Sequence, residues 1–208
     1  MLDEAGDVAR EIPLVGDRMV IGRAQADVQF ADDVSLAAEH AIISRRTDGV
    51  HIRDIAEGHG GATWIFLREP QVLADGDLIL LGSQVIRYRR VPSLNAPARS
   101  TQAGSRVPDE DVGILEQVMS DGRVRDVCHV PRGKAILIGR EHGNWVFPYD
   151  PTMSARHAEI RAHAEHGEVV VRDLGSRNGV GIVLRAERAL HDGDRLLLGR
   201  QLLRVDLQ

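Results

Sequence analysis

Short apolar runs, each closed by a turn signal, fill this chain from end to end. MVIG, DVQF, AIIS, VHIRDI, LILLG and QVIRYRRV follow one another in the first half. AILIG, WVFPY, HAEIRA, EVVVRDL, RLLLG and QLLRVDL follow in the second. Apolar and polar positions that alternate over about four to eight residues mark a strand with one buried face, and long helical periodicity is scarce here. The pattern predicts an all-β fold of many short strands.

The runs also repeat. Ile21-Gly22-Arg23 returns as Ile138-Gly139-Arg140, an offset of 117. The same offset relates His40-Ala41 to His157-Ala158, Asp75-Gly76-Asp77 to Asp192-Gly193-Asp194, and Leu80-Leu81-Gly82 to Leu197-Leu198-Gly199. Arg53-Asp54 matches Arg172-Asp173 at 119, so the second copy has two extra residues around His163–Gly167, and the first regains two afterwards. An offset shared by four separated motifs means two copies of one domain. Between them lies PSLNAPARSTQAGSRVPDED, residues 92–111, rich in Pro, Ala, Ser and Gly and without apolar periodicity. It reads as a flexible linker. The expected division is a first domain over 1–91, the linker over 92–111 and a second domain over 112–208. Each copy can bury only a modest core. With 3 Phe, 2 Trp and 2 Tyr in the chain, Leu, Ile and Val must supply most of it. Trp64 and Trp145 are expected to pack, Cys128 to behave as a small hydrophobe, and the two Asp-Gly-Asp segments to make tight turns.

Composition narrows the function. Of 208 residues, 43% are hydrophobic and 27% charged, as in ordinary globular proteins. No apolar run approaches the ~18 residues of a membrane helix, so no direct membrane insertion is expected. The start, MLDEAGDVAREIP, is acidic and lacks the apolar stretch of a secretory leader. A lone Cys128 suits a reducing compartment and excludes a Cys-based zinc site. A cytoplasmic location is the expectation. A net charge of −5 argues against a nucleic-acid partner. That charge is uneven: residues 1–91 carry −5 and residues 121–208 carry +2. Lys134 is the only lysine among 26 basic residues, which leaves the chain rich in the side chain that grips phosphate with two parallel hydrogen bonds.

The second copy places such an arginine in a telling order. Gly139-Arg140 comes first, then Ser154-Ala155-Arg156-His157, then Asp173-Leu174-Gly175-Ser176-Arg177-Asn178-Gly179, then Asp192-Gly193-Asp194 and Leu198-Gly199. This ordered set resembles the forkhead-associated (FHA) domain, a β-sandwich that reads phosphothreonine peptides. The resemblance implies two tandem FHA-type β-sandwiches joined by the linker. It implies that Arg140, Ser154 and Arg177 touch phosphate, that Asn178 holds the peptide main chain, and that Gly139, His157, Ser176 and Gly179 shape the loops. Arg156 is a further candidate for the phosphate. The chemistry agrees: a phosphate brings roughly −1.5 to −2 charges and three strong acceptors, a guanidinium and a hydroxyl donate to it, and an amide both donates and accepts.

The first copy departs from this order. Gly22-Arg23 and His40 are present, but Ala37 stands where the family has Ser. The Asn position falls on His59 or Gly61, and Glu57 puts a negative charge nearby. Arg23, Ala37, His40 and His59 thus outline a degenerate first site, expected not to bind phosphopeptide in the usual way. No catalytic residues are expected: Gly175-Ser176-Arg177-Asn178-Gly179 puts its Ser in the second place, not the third as a nucleophile elbow requires. Gly58-His59-Gly60-Gly61 lacks the Lys-Ser/Thr of a nucleotide loop. No metal and no cofactor are expected; His157, His163 and His166 need not converge on short strands. Ser100, Thr101 and Ser105 in the linker present hydroxyls that a kinase could modify. The reading is a non-catalytic phosphothreonine-peptide-binding adaptor in Ser/Thr kinase signalling, acting through its second domain on a kinase or a kinase substrate. The alternative is a phosphate-independent scaffold that uses both domains for docking.

Overall fold

A computed structural model describes residues 1–2, 7–56, 61–91 and 111–207. The expected linker over 92–111 falls outside them except for Asp111, which opens a strand. His59, Glu57, Ser100, Thr101 and Ser105 also lie outside the described residues.

All regular structure among the described residues is β. The first repeat gives β1 (Arg18–Gly22), β2 (Val28–Gln29), β3 (Ala41–Arg46), β4 (Gly49–Asp54), β5 (Thr63–Phe66), β6 (Gln71–Val72), β7 (Leu78–Leu81) and β8 (Gln84–Arg90). The second gives β9 (Asp111–Val118), β10 (Val124–Pro131), β11 (Ala135–Gly139), β12 (Trp145–Val146), β13 (Ala158–Ala162), β14 (Val169–Asp173), β15 (Val180–Val183), β16 (Arg188–Leu190), β17 (Arg195–Leu198) and β18 (Gln201–Arg204). The alternation seen in the sequence becomes alternation in burial. Val169 and Val171 of β14 are buried, as are Ile86 and Tyr88 of β8, with their neighbours turned outward. Each fully buried aliphatic side chain contributes about 1.5–3 kcal/mol relative to exposure. Both Asp-Gly-Asp segments are tight turns. Gly76 and Gly193 have φ of 78° and 81°, and the second Asp of each accepts the backbone N–H three residues before it, at 2.6 and 2.8 Å. Trp64 and Trp145 are buried, and Trp145 donates its indole N–H to Asp126 at 2.9 Å. Cys128 is half-buried on β10, and burial pushes its thiol pKa up.

The compact units do not follow the repeats. One unit comprises residues 1–66 and 183–208; the other comprises 67–182. In the first unit, β16-β4-β3-β1-β2 form one sheet and β5, β17 and β18 pair in another. In the second unit, β12-β11-β13-β14-β6 form one sheet and β10-β9-β8-β7-β15 the other. The strands after residue 66 therefore leave their own repeat. Val72 of β6 pairs with Val170 of β14, and Leu81 of β7 with Val180 of β15. Reciprocally, Ala189 of β16 pairs with His51 of β4, and Leu197 of β17 with Trp64 of β5. The division expected at 91 and 112 describes the sequence copies, and the compact bodies divide elsewhere. The physical reason is that two copies of one domain present apolar positions in the same pattern. Strand periodicity alone does not choose which copy's last strands complete which copy's first.

Candidate functional site

Gly139 ends β11, and the chain turns away through Arg140. The Arg140 backbone N–H donates to the Ser154 carbonyl at 2.9 Å, and the Glu141 and His142 N–H groups share the Ala155 carbonyl at 3.2 and 3.1 Å. Two loops are thereby zipped together. The contact is so close that a Cβ on residue 139 would stand 2.2 Å from the Ala155 oxygen. That is why glycine precedes the arginine.

His157, wholly buried, joins the second loop to the third. Its Nδ1 accepts the Ser154 N–H at 3.1 Å, and its Nε2 meets the Gly179 carbonyl at 3.1 Å. One ring nitrogen must accept and the other donate, so the imidazole is neutral with the proton on Nε2. Burial lowers its pKa, against the Gly179 carbonyl and the nearby Asp173 and Asp150 carboxylates, which favour the charged form. The third loop is held in turn. Ser154 Oγ accepts the Arg177 N–H at 3.0 Å. Ser176 Oγ accepts the Gly179 N–H at 3.0 Å, and Asp173 accepts the Ser176 N–H at 2.9 Å. Asn178 donates from Nδ2 to the Thr152 carbonyl at 2.8 Å. Gly179 has a φ of 84°, the left-handed region that glycine tolerates.

These bonds gather the loops of Arg140, Ser154, Arg177 and Asn178 within one unit. Arg177 and Asn178 are exposed, and Ser154 is half-exposed. Its hydroxyl, having accepted one hydrogen bond, still has a proton to donate. Arg156 is exposed on the same loop as Ser154. The Arg140 guanidinium donates through Nε and Nη2 to Glu141 Oε1 at 3.2 and 2.7 Å, and this contact holds the Glu141 carboxyl below its ordinary pKa. The arrangement offers an exposed cation, a hydroxyl and an amide on a braced frame, which is what an anionic extended ligand requires.

The other unit keeps the frame and Arg23, but among the described residues Ala37 and Gly61 stand at the positions of Ser154 and Asn178. The Arg23 N–H donates to the Ala37 carbonyl at 2.8 Å, and the Ala37 N–H donates to His40 Nδ1 at 3.2 Å. A Cβ on Gly22 would lie 2.2 Å from the Ala38 oxygen. Ala37 brings no hydroxyl. The Gly61 N–H donates to the Ser35 carbonyl at 2.6 Å. Residues 35 and 61 stand 117 before Thr152 and Asn178, so a backbone amide at Gly61 makes the contact that the Asn178 side chain makes in the other copy. His59, the other position open in the sequence, lies outside the described residues. Among the described residues the buried Nε2 of His40 has no hydrogen-bond partner, whereas its counterpart on His157 is bonded to Gly179.

Several contributors escaped the sequence reading. Thr152 supports Asn178, and Asp150 supports Thr152 by accepting its N–H at 2.9 Å and its hydroxyl at 2.5 Å. Asp150 is buried. Five hydrogen bonds from Thr152, Gln84 and Ser83 hold its carboxyl well below the usual range, against the opposing effect of burial. The signal was present: Asp33 and Asp150, and Gln84 and Gln201, recur at the same offset of 117. Of the three clustered histidines, His163 and His166 stack with ring centroids 5.0 Å apart, while His157 serves the loops. Among the described residues no group of three or more His, Cys, Asp or Glu is arranged to hold a metal, and no helix is long and apolar enough to cross a membrane.

The repeats correspond to a known family. The family described as FHA domain matches at residues 19–82 and again at 136–199. Among solved structures, the chain is similar to the FHA domain of CT664 protein from Chlamydia trachomatis, at 29% identity over 40% of this chain and 87% of that one, with a TM-score of 0.26. A second match, described as structural and functional analysis of phosphothreonine-dependent FHA domain interactions, is 28% identical over 46% of this chain and 95% of its own, with a TM-score of 0.26. No curated protein matches.

Proposed function

The chain belongs to the FHA-domain family, two copies in tandem, and from that premise we propose that it is a non-catalytic adaptor that binds phosphothreonine peptides in Ser/Thr kinase signalling. Binding occurs through the loops of residues 139–140, 154–157 and 176–179. The partner is a kinase or a kinase substrate, met in the cytoplasm. The observation that carries this reading is the bonded set of loops. Arg140 is tied to Ser154 by its backbone, Ser154 Oγ to Arg177, and Asn178 to Thr152.

Each group has a distinct task. The Arg140 guanidinium turns from Glu141 to the phosphate, a partner of higher charge. Ser154 donates its hydroxyl proton to a phosphate oxygen, and Arg177 adds a second cation. Asn178 grips the peptide main chain. His157 holds the second and third loops in register and takes no part in contact. The stretch 67–182 that carries these loops is balanced in charge, so the attraction for an anion comes locally from Arg140 and Arg177. The first copy, with Ala37 for the hydroxyl and Gly61 for the amide, does not bind in this way.

Arg140→Ala should weaken binding to a degenerate phosphothreonine peptide library by about 2–5 kcal/mol, the cost of removing one partner of a desolvated charge pair. Fluorescence anisotropy on the full chain measures it. Equal affinity of variant and parent would sink the assignment. The scaffold reading is separated by treating a partner extract with phosphatase before pull-down. Persistence of capture would favour phosphate-independent docking.

A further inference from the structure

Within the unit of residues 67–182, the support of Asn178 comes from the other repeat. Asp150 Oδ2 accepts the Ser83 N–H at 2.9 Å, the Ser83 hydroxyl at 2.7 Å and the Gln84 side-chain amide at 2.7 Å. Its Oδ1 accepts from Thr152, whose carbonyl accepts from Asn178. Gln84 is itself held, because its Oε1 accepts from Gln117 Nε2 at 2.7 Å, and Gln117 also donates to the Tyr149 hydroxyl at 2.9 Å. The turn between β7 and β8 fits closely under the loop. A Cβ on Gly82, which has a φ of +59°, would meet Thr152 Oγ1 at 2.9 Å, Asp150 Oδ2 at 3.0 Å and the Met153 nitrogen at 3.0 Å. Among the described residues, no buried side-chain polar atom of this network is left without a partner, and such a network specifies one arrangement.

The second repeat has its own version of this turn, and it is used elsewhere. Arg200 and Gln201 stand 117 residues after Ser83 and Gln84. In the unit of 1–66 and 183–208 they bind Asp33: Oδ2 accepts the Arg200 N–H and the Gln201 side-chain amide, each at 2.8 Å. The turn beneath the Arg140–Asn178 loops therefore carries a serine, where the second repeat's own turn would bring an arginine.

We infer that Ser83 and Gln84, from the repeat whose own loops are degenerate, are positioning residues of the second repeat's ligand loops, acting through Asp150 and Thr152 on Asn178. The first repeat is then half of the reader. Its role is to complete the binding domain, which explains why it keeps its strands while losing its ligand groups. This rests on the phosphopeptide reading for its functional consequence, and on the strand pairing alone for its structural content.

The structural content is tested first, with no ligand. In the full chain with Cys128→Ser, Val72→Cys and Val170→Cys face each other across β6 and β14. Facing residues lie about 4.5–5.5 Å apart at Cα, within disulfide reach. Mild oxidation should close this pair inside a monomer, read by peptide mapping and non-reducing electrophoresis. Val72→Cys with His51→Cys is the matching pair if β6 stays with its own repeat, because Ala189, 117 after Val72, is the residue that faces His51. Closure of that pair, or covalent dimers from the first, would overturn the inference. The positioning role is tested by Ser83→Ala combined with Gln84→Ala, against Gln201→Ala. The first should shift the Asn178 side-chain amide resonance and weaken phosphothreonine-peptide binding about tenfold; the second should do neither. A shift with Gln201→Ala alone would also overturn it. Should the parent chain bind no phosphothreonine peptide, the functional reading fails, while cross-link and resonance still decide the placement of Ser83 and Gln84.

Discussion

Two buried histidines show how single residues separate frame from function. His40 and His157 both accept a backbone N–H at Nδ1, and burial is the main cause that lowers the pKa of each from an ordinary 6.5. Above pH 6.5 both are neutral folded or unfolded, and neither makes stability depend on pH. Below it the unfolded chain takes up protons that the folded chain resists. Folding stability must therefore fall as pH drops beneath 6.5. The Asp33 and Asp150 carboxylates, held below their ordinary range by hydrogen bonds, stay ionised in this window. Urea denaturation at about pH 6.8 and about pH 5.2, values set to straddle the histidine range, should give a lower midpoint at the acid end. A flat profile would mean that the imidazoles are not buried as described. The contrast at Nε2, bonded in His157 and, among the described residues, without a partner in His40, marks where the first copy has been allowed to drift.

At the scale of elements, the site depends on how closely β11 approaches the loop before β13. The paired glycines make this testable in a matched way. Gly139→Ala and Gly22→Ala would each drive a Cβ to 2.2 Å from a carbonyl oxygen, a distance at which the backbone must move. Each should cost about 1–3 kcal/mol of stability, as overpacking does, read by thermal or urea unfolding. Only Gly139→Ala should also weaken phosphothreonine-peptide binding, since only that loop carries Arg140 beside Ser154. Equal loss of binding in both variants would place the effect in general stability instead. The strands, their turns and the Gly-Arg corners were all legible in the sequence, because alternation and glycine chemistry are local. The Asp150 node was not. A buried aspartate reads as one more acidic residue until its partners, 66 and 67 residues away, are in place.

The whole molecule is two sandwiches, each made from both repeats, and its core residues should report that. Leu81 belongs by sequence to the first repeat and by packing to the unit of 67–182; Leu198 is its mirror in the other unit. Leu81→Ala should cost about 2–5 kcal/mol and lower amide-exchange protection in β13 and β14, which lie in the second repeat. Leu198→Ala should do so in β3 and β4, which lie in the first. Loss of protection confined to each residue's own repeat would contradict the exchanged pairing. A cut between the repeats at residue 91 or 112 would sever each sandwich from its last strands, so neither half is the natural object for a binding assay.

What the sequence determined by itself was everything that rests on short range or on repetition. It gave away the β character through alternation, the two copies through a constant offset, and the candidate ligand residues through the order Gly139-Arg140, Ser154, His157, Asn178-Gly179. It also showed which copy had lost them. The tertiary structure alone decided which strands complete which copy, and which turn lies under Asn178. Two copies of one domain carry the same alternation of apolar positions, so either half fits either partner by pattern. The choice is made by chain connection, by the Ser83 and Gln84 bonds to Asp150, and by the Arg200 and Gln201 bonds to Asp33.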